Sequence, residues 1–155
     1  GGQIGAEAAT LARVRPLLEA LGKRIVHIGP PGAGQVAKAC NQMIMVSAIQ
    51  VCAEAFRLAG AHGVDQAEEP GERAAGGSAG SRAREVMGAK MVARDFAAGV
   101  EARLHHKDFA ILMEEAARLG APLPVAAQVW QQLDALMGAG WGRDDTASLL
   151  RVLEG

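Results

Sequence analysis

The sequence predicts an all-α protein, a helical bundle built around one long helix, with one short strand and one helix ahead of it. Three observations carry this prediction. A run without charge extends from Ala39 to Ala53 behind a glycine turn, helix-period segments separated by glycine and proline follow residue 80, and a single β-branched stretch interrupts the pattern.

Taken in order, Gly1-Gly2-Gln3-Ile4-Gly5 is glycine-rich with no element before it, as in a chain that starts in the middle of a larger arrangement. Residues 7 to 21 read as a helix, with Leu11, Val14, Leu17, Leu18 and Leu21 at helical spacing and Gly22 as the stop. Arg24-Ile25-Val26-His27-Ile28 is the one convincing strand. One strand cannot make a sheet, so its neighbours are expected from outside this chain, from another copy, or not at all. After Pro30-Pro31-Gly32 a helix runs from about Gln35 to Ala61, about 40 Å long. It is apolar on nearly every face, so other helices are expected to surround it.

Residues 66 to 80 read as loose, broken at Glu68-Glu69-Pro70-Gly71 and at Gly76-Gly77-Ser78-Ala79-Gly80. Ser81 is positioned to cap a helix through about Val92. Helices follow at roughly 103 to 119, 123 to 137 and 144 to 153, divided by Gly120-Ala121-Pro122 and by Gly138 to Gly142. The first of these is expected to bury Leu104, Ile111, Leu112 and Leu119, and Asp144-Asp145-Thr146 is read as the cap of the last.

Bulk properties exclude several function classes. A chain of 155 residues, half of them hydrophobic, can bury a substantial core. With 16 basic and 17 acidic residues the formal charge is -1, and no basic stretch is dense enough to track a phosphate backbone. Aromatic residues make up 3%, too few for base-stacking platforms, so nucleic acid is excluded as a partner. Cys40 and Cys52 lie about 18 Å apart along one helix, too far to bridge, and read as thiols of a reducing, cytoplasmic compartment. Asn41, Gln42, Ser47 and Gln50 interrupt the longest uncharged run, which argues against a membrane span.

Among candidate chemical groups, Lys38 stands out. It precedes the uncharged run, and Asn41 and Gln42 follow at three and four positions, on the same helix face. An ammonium group that loses hydration at such a border is suited to giving or taking a proton, whereas a lysine that merely reaches back to water is a solvated helix end. The segment Ile28-Gly29-Pro30-Pro31-Gly32-Ala33-Gly34 fits a dinucleotide glycine pattern, yet the chain after it stays helical past Glu54 where a second strand ending in an acidic residue is needed. Gln35 also stands where a phosphate loop needs lysine, so the segment reads as a tight turn. His105 and His106 are adjacent and lack metal-ligand spacing, so no metal is assigned. Lys107 and Asp108 read as a polar helix start, and Ser78, Ser81 and Arg82 as either a capping turn or a small-anion site.

Together these segments resemble the β-hydroxyacid dehydrogenase family, and within it the 2-hydroxy-3-oxopropionate (tartronate semialdehyde) reductases, followed by the 3-hydroxyisobutyrate dehydrogenases. The likeness rests on the opening Gly-Gly-x-x-Gly-Ala, on Gly-x-Gly-Gln-x-x-Lys-x-x-Asn-Gln at residues 32 to 42, and on Gly-Gly-x-Ala-x-Ser-Arg at 76 to 82. It continues through Lys107-Asp108 and Gly140-Trp141-Gly142 with Asp145.

The resemblance implies a Rossmann-type nucleotide-binding domain ahead of an all-α domain, residues 1–31 being a remnant of the first and 32–155 the substrate and dimerisation domain. It implies that Lys38 is the catalytic lysine, with the neighbouring amide at Asn41 or Gln42. It further implies that Gly1, Gly2 and Ser81 bind substrate and that Lys107 reaches over the cofactor, NAD or NADP, which the missing domain mainly holds. The expected activity is reduction of a small aldehyde acid to a hydroxyacid by a homo-oligomer, and the isolated chain is expected to be inactive. Against the family pattern, the stretch Ala9 to Arg13 is shortened by a strand and a glycine turn, and Pro70-Gly71 falls where a helix is usual.

Overall fold

A computed structural model describes residues 2–22, 24–64 and 80–155. They form two compact units, Gly1–Gln42 and Met43–Gly155, and the division falls inside the long helix. The division expected from the resemblance, at 31/32, lies just before that helix begins.

In the first unit, strand β1 (Gly2–Gly5) leads through Ala6 and Glu7 into helix α1 (Ala8–Leu21), which returns to strand β2 (Ile25–Gly29). The strands pair in parallel, Gly2 with Ile25, Gln3 with Val26 and Ile4 with His27, and the register shifts before Gly5 meets Gly29. This corrects the expectation that β2 has no neighbour in the chain. β1 escaped the sequence reading because half of it is glycine and Ile4 is its one β-branched residue, so pairing rather than propensity holds it extended. Backbone bonds extend the ladder at both ends, Gly2 N to Arg24 O at 2.8 Å and Ala6 N to Gly29 O at 2.8 Å. His27 Nε2 donates to the carbonyls of Ala6 (2.8 Å) and Gly29 (3.0 Å), tying the two strand ends.

The residues of the shortened stretch, 9 to 13, lie within α1. Of its predicted apolar stripe only Leu11 is buried, while Leu17 and Leu21 are 70% and 86% exposed. The spacing is helical, but among the described residues this short helix has too little around it to cover that stripe.

The long helix α2 (Ala33–Ala61) runs from the first unit into the second. There a π-helical turn (Arg84–Gly88) runs into α3 (Ala89–Ala93), followed by α4 (Ala102–Leu119), α5 (Pro124–Gly138), a 3-10 turn (Thr146–Ser148) and α6 (Leu149–Glu154). Each boundary has a local cause. Ser81 Oγ accepts from Arg84 N at 3.1 Å, as expected of a cap. Gly120 takes a left-handed φ of 65° to end α4, and Pro124 opens α5 where its missing N–H costs nothing. Ser78 and Pro70-Gly71 lie outside the described residues.

The core joins Val46, Ile49, Ala53 and Phe56 of α2 to Met91, Phe109, Val129, Leu133, Leu136, Leu149 and Leu150. Two expectations about faces are corrected. Helix α2 is not enclosed by the described residues, since Ile44, Val51 and Leu58 are 68%, 61% and 63% exposed on the side away from Val46, Ile49, Ala53 and Phe56. By length and composition it is the one helix among the described residues that could cross a membrane. In α4 the buried side carries Ala102, His105, Phe109 and Ala116, while Leu104, Ile111 and Leu119 face outward. His105 takes the inward place because its Nδ1 lies 2.6 Å from Thr146 Oγ1, a buried hydrogen bond that the sequence pattern does not announce.

Asp145 organises the end of the bundle. Its side chain is 1% exposed, with Oδ1 accepting from Ala147 N and Oδ2 from Gly99 N, each at 3.0 Å. Lys90 Nζ stands 3.6 Å from Oδ2 and donates to Ala97 O at 2.7 Å. Beside it, Arg151 is paired with Asp144 at 2.7 Å and packs over the rings of Trp141 and Phe96, at 3.8 and 5.2 Å to their centroids.

Candidate functional site

The site is built where the end of β1 meets the start of α2. Gly5 and Gly34 set the approach. A Cβ on Gly5 would fall 2.5 Å from Pro30 O, 2.8 Å from Ala33 N and 2.9 Å from Gly34 N, and one on Gly34 would fall 3.0 Å from Gln3 O. Backbone therefore touches backbone here, which only glycine on both sides permits. Gly29 and Gly32, at φ 155° and 93°, let the chain turn sharply enough to begin the helix at that point.

This contact leaves a cleft of about 560 Å³ beside it, lined by Gln3, Ile4 and Gly5 from β1 and by Gly34, Gln35 and Lys38 from the first turns of α2. Lys38 is exposed, as in the solvated reading, and it also lines the cleft. The packed interior of α2 starts at Val46, two turns beyond Lys38, so the expectation that the lysine sits at the mouth of that interior is corrected. Its setting is an open concavity between a strand and a helix.

At about 100° per residue, Gln35 and Gln42 lie on one side of Lys38, by about 60° and about 40°, and Asn41 on the other by about 60°. Gln42 is half-buried and Asn41 exposed. Gln3 and Gln35 were missed by the sequence reading. Gln35 was legible, three positions before Lys38 and so on its face. Gln3 was not, because β1 itself was not recognised.

Gly2 belongs to β1, with its amide on Arg24 O, and Gly1 is outside the described residues. Ser81 belongs to the second unit, where its hydroxyl serves as a helix cap. Lys107 is exposed on α4. His106, on the next turn side of that helix, pairs with Asp134 at 2.6 Å.

The glycine turn does not fit a dinucleotide pyrophosphate. The amides of Ala33, Gln35 and Val36, which would have to face phosphate oxygens, already donate to Pro30 O and Gly32 O at 3.0 to 3.2 Å. What the described residues fit is the reacting end of a small molecule: a cleft of suitable size, one ammonium group, and carboxamides around it. No group of His, Cys, Asp and Glu suited to a metal occurs among the described residues. Burial pushes the Cys52 thiol up from its ordinary range, partly offset by the Arg84 guanidinium.

Comparison with known proteins places this chain in a family. Residues 32–153 match the family model described as "NAD-binding of NADP-dependent 3-hydroxyisobutyrate dehydrogenase". The 2-hydroxy-3-oxopropionate reductase of Escherichia coli is 34% identical over 165 residues, covering 99% of this chain and 56% of that protein. The NAD-dependent L-serine dehydrogenase of Pseudomonas aeruginosa is 31% identical, covering 97% and 53%. The chain thus spans about half the length of the curated relatives it matches. Among solved structures, the 3-hydroxyisobutyrate dehydrogenase of Mycobacterium tuberculosis, determined with L-serine, superposes with a TM-score of 0.85 at 28% identity over 97% of this chain and 54% of that one. That of Salmonella typhimurium reaches 0.86 at 23% identity, a likeness of fold, over 96% and 52%. On the match of its family model to residues 32–153, the chain belongs to the 3-hydroxyisobutyrate dehydrogenase family of NAD(P)-dependent oxidoreductases.

Proposed function

We propose that this chain is the substrate-binding, catalytic and dimerisation half of an NAD(P)-dependent hydroxyacid dehydrogenase that reduces a short aldehyde acid such as tartronate semialdehyde. The observation that carries the reading is Lys38 lining the cleft between β1 and α2. A nicotinamide cofactor, NAD or NADP, held mainly by residues outside this chain, supplies the hydride.

Lys38 gives a proton to the aldehyde oxygen as that oxygen gains charge, and Gln42, with Asn41 as the alternative amide, holds the ammonium and the substrate in line. Gly1 and Gly2 border the substrate, the Gly2 amide itself being held by Arg24 O. Ser81 contributes to that pocket, and Lys107 reaches over the cofactor. Residues 1–31 are then the last pieces of the nucleotide-binding domain and 32–155 the helical domain. The two widely spaced thiols accord with a reducing cytoplasm.

The test is Lys38→Ala in the full-length protein carrying this chain. Turnover is expected to fall at least about a hundredfold, with Lys38→Arg recovering little because a guanidinium does not release its proton. Turnover within a few-fold of the unmodified protein refutes the mechanism. Calorimetry of this chain with reduced cofactor is expected to give weak or no binding, and micromolar affinity would contradict the division of labour.

A second reading, of a helical oligomerisation module, is favoured by one observation. Ile44, Val51 and Leu58 stand seven residues apart on the exposed side of α2, with Ala48 and Ala55 between them, the spacing of a helix-pairing seam. A second copy of α2 would cover it, and the reading is compatible with the first. Val51→Lys is expected to turn a sedimenting dimer into a monomer, and an unmodified chain that is monomeric at micromolar concentration rules the seam out.

A further inference from the structure

We infer that the buried hydrogen bond between His105 and Thr146 is a positioning device: it fixes the rotation of α4 about its own axis and so holds Lys107 outward, where it meets the nicotinamide cofactor. This rests on the reading of Lys107 as the residue that reaches over the cofactor and deepens it by naming what keeps it there.

The need for such a device lies in the apolar pattern of α4. Leu104, Ile111 and Leu119 are exposed, while the buried side carries Ala102, His105, Phe109 and Ala116. Burial of apolar area alone would roll the helix to bring the leucines and the isoleucine inward. At about 100° per residue, Lys107 stands about 170° from the middle of the buried side, and Leu104 and Ile111 stand about 50° from Lys107. A roll that buries those two side chains therefore carries the Lys107 ammonium to within about 50° of the inward direction, away from any ligand outside the bundle.

Opposing that roll, His105 Nδ1 lies 2.6 Å from Thr146 Oγ1, and the two residues are 3% and 0% exposed. Rotation would leave both polar groups buried and unpaired. Thr146 is a firm anchor, because the buried Asp145 caps its 3-10 turn by accepting from Ala147 N. One residue on, His106 Nε2 lies 2.6 Å from Asp134 Oδ1 of α5, so two consecutive side chains are bonded to two different elements just before Lys107. The second bond is the lesser, since the Asp134 side chain is 55% exposed and water competes for it. Lys107 is exposed and makes no ion pair or hydrogen bond among the described residues, so the helix sets its direction.

The test uses the full-length protein carrying this chain. Thr146→Val keeps the shape of the side chain and removes the hydroxyl. It is expected to raise the Kd of reduced cofactor about tenfold, measured by calorimetry with NADH and NADPH and read for the tighter of the two, and to raise KM for that cofactor with kcat within about twofold. Thr146→Ser is expected to restore the unmodified values. In a Lys107→Ala background, itself weakened, Thr146→Val is expected to add nothing, a coupling that general loosening of the fold does not produce. Ala116→Gly weakens α4 on its buried side and leaves His105 bonded, so it is expected to lower the urea midpoint with Kd unchanged. A Kd raised equally by Ala116→Gly, or losses from Thr146→Val and Lys107→Ala that simply add, overturn the proposal. If Lys107→Ala weakens binding and Thr146→Val does not, the proposal also falls and the reading of Lys107 stands. If Lys107→Ala leaves Kd unchanged, that reading fails and the proposal with it. The rotation is also read without cofactor: in this chain a soluble nitroxide is expected to broaden the Ile111 methyl signals less in Thr146→Val than in the unmodified protein, and equal broadening overturns the proposal.

Discussion

At the scale of single residues, Asp145 shows how a position read as a helix cap can do more than cap. Its two oxygens take backbone protons from Gly99 and Ala147 while Lys90 stands close by, so one buried carboxylate joins the loop before α4 to the turn before α6. Replacing it with alanine leaves the amides of Gly99 and Ala147 without their acceptor and takes a buried negative charge from beside Lys90, which keeps Ala97 O and Asp95. Asp145→Ala is therefore expected to cost about 3 kcal/mol, read as a lowered urea midpoint with an unchanged slope. Asp145→Asn, which keeps one acceptor oxygen, is expected to cost less. Lys38 illustrates the converse. The sequence placed it correctly on a face with Asn41 and Gln42, and misjudged its surroundings because the other wall of the cleft comes from a strand about thirty residues away.

At the scale of elements, packing decides what periodicity leaves open. The π-helical turn before α3 buries Gly88 against Phe56, and a Cβ there would lie 3.1 Å from the ring edge. Gly88→Ala is expected to destabilise by about 1 to 3 kcal/mol through displacement of that ring, and Gly88→Ala with Phe56→Leu to recover much of the loss, a coupling that a double-mutant cycle measures. The helix boundaries were largely legible, because capping residues, glycine and proline mark them locally. The faces were less so. In α4 a satisfied histidine displaced leucines from the interior, and in α1 and α2 apolar stripes remain on the surface. Strand β1 could not be read at all, since two glycines and four residues carry no alternation. Of the site, the helix side was legible in the lysine and amide spacing, and the strand side was hidden with β1.

At the scale of the whole molecule, the two units differ in how much they bury. The first has a two-stranded sheet and Leu11 as its one fully buried hydrophobic residue among those described, while the second holds the entire core cluster. Local opening should follow this contrast. Amides of β1, β2 and α1 are expected to exchange with solvent at least about a hundredfold faster than those of α5 around Leu133 and Leu136, measured by native-state hydrogen exchange. Equal protection across both units would mean that the sheet is stabilised by more than its own contacts. The near-neutral charge of -1 adds little to either unit.

The touching backbones of Gly5 and Gly34 also constrain any attempt to re-engineer the protein. Because not even a methyl fits between strand and helix, a side chain added at this pin would force the two walls apart and reshape the cleft. Redesign would have to trim the walls themselves, at Gln3, Ile4 or Gln35, and leave the pin alone.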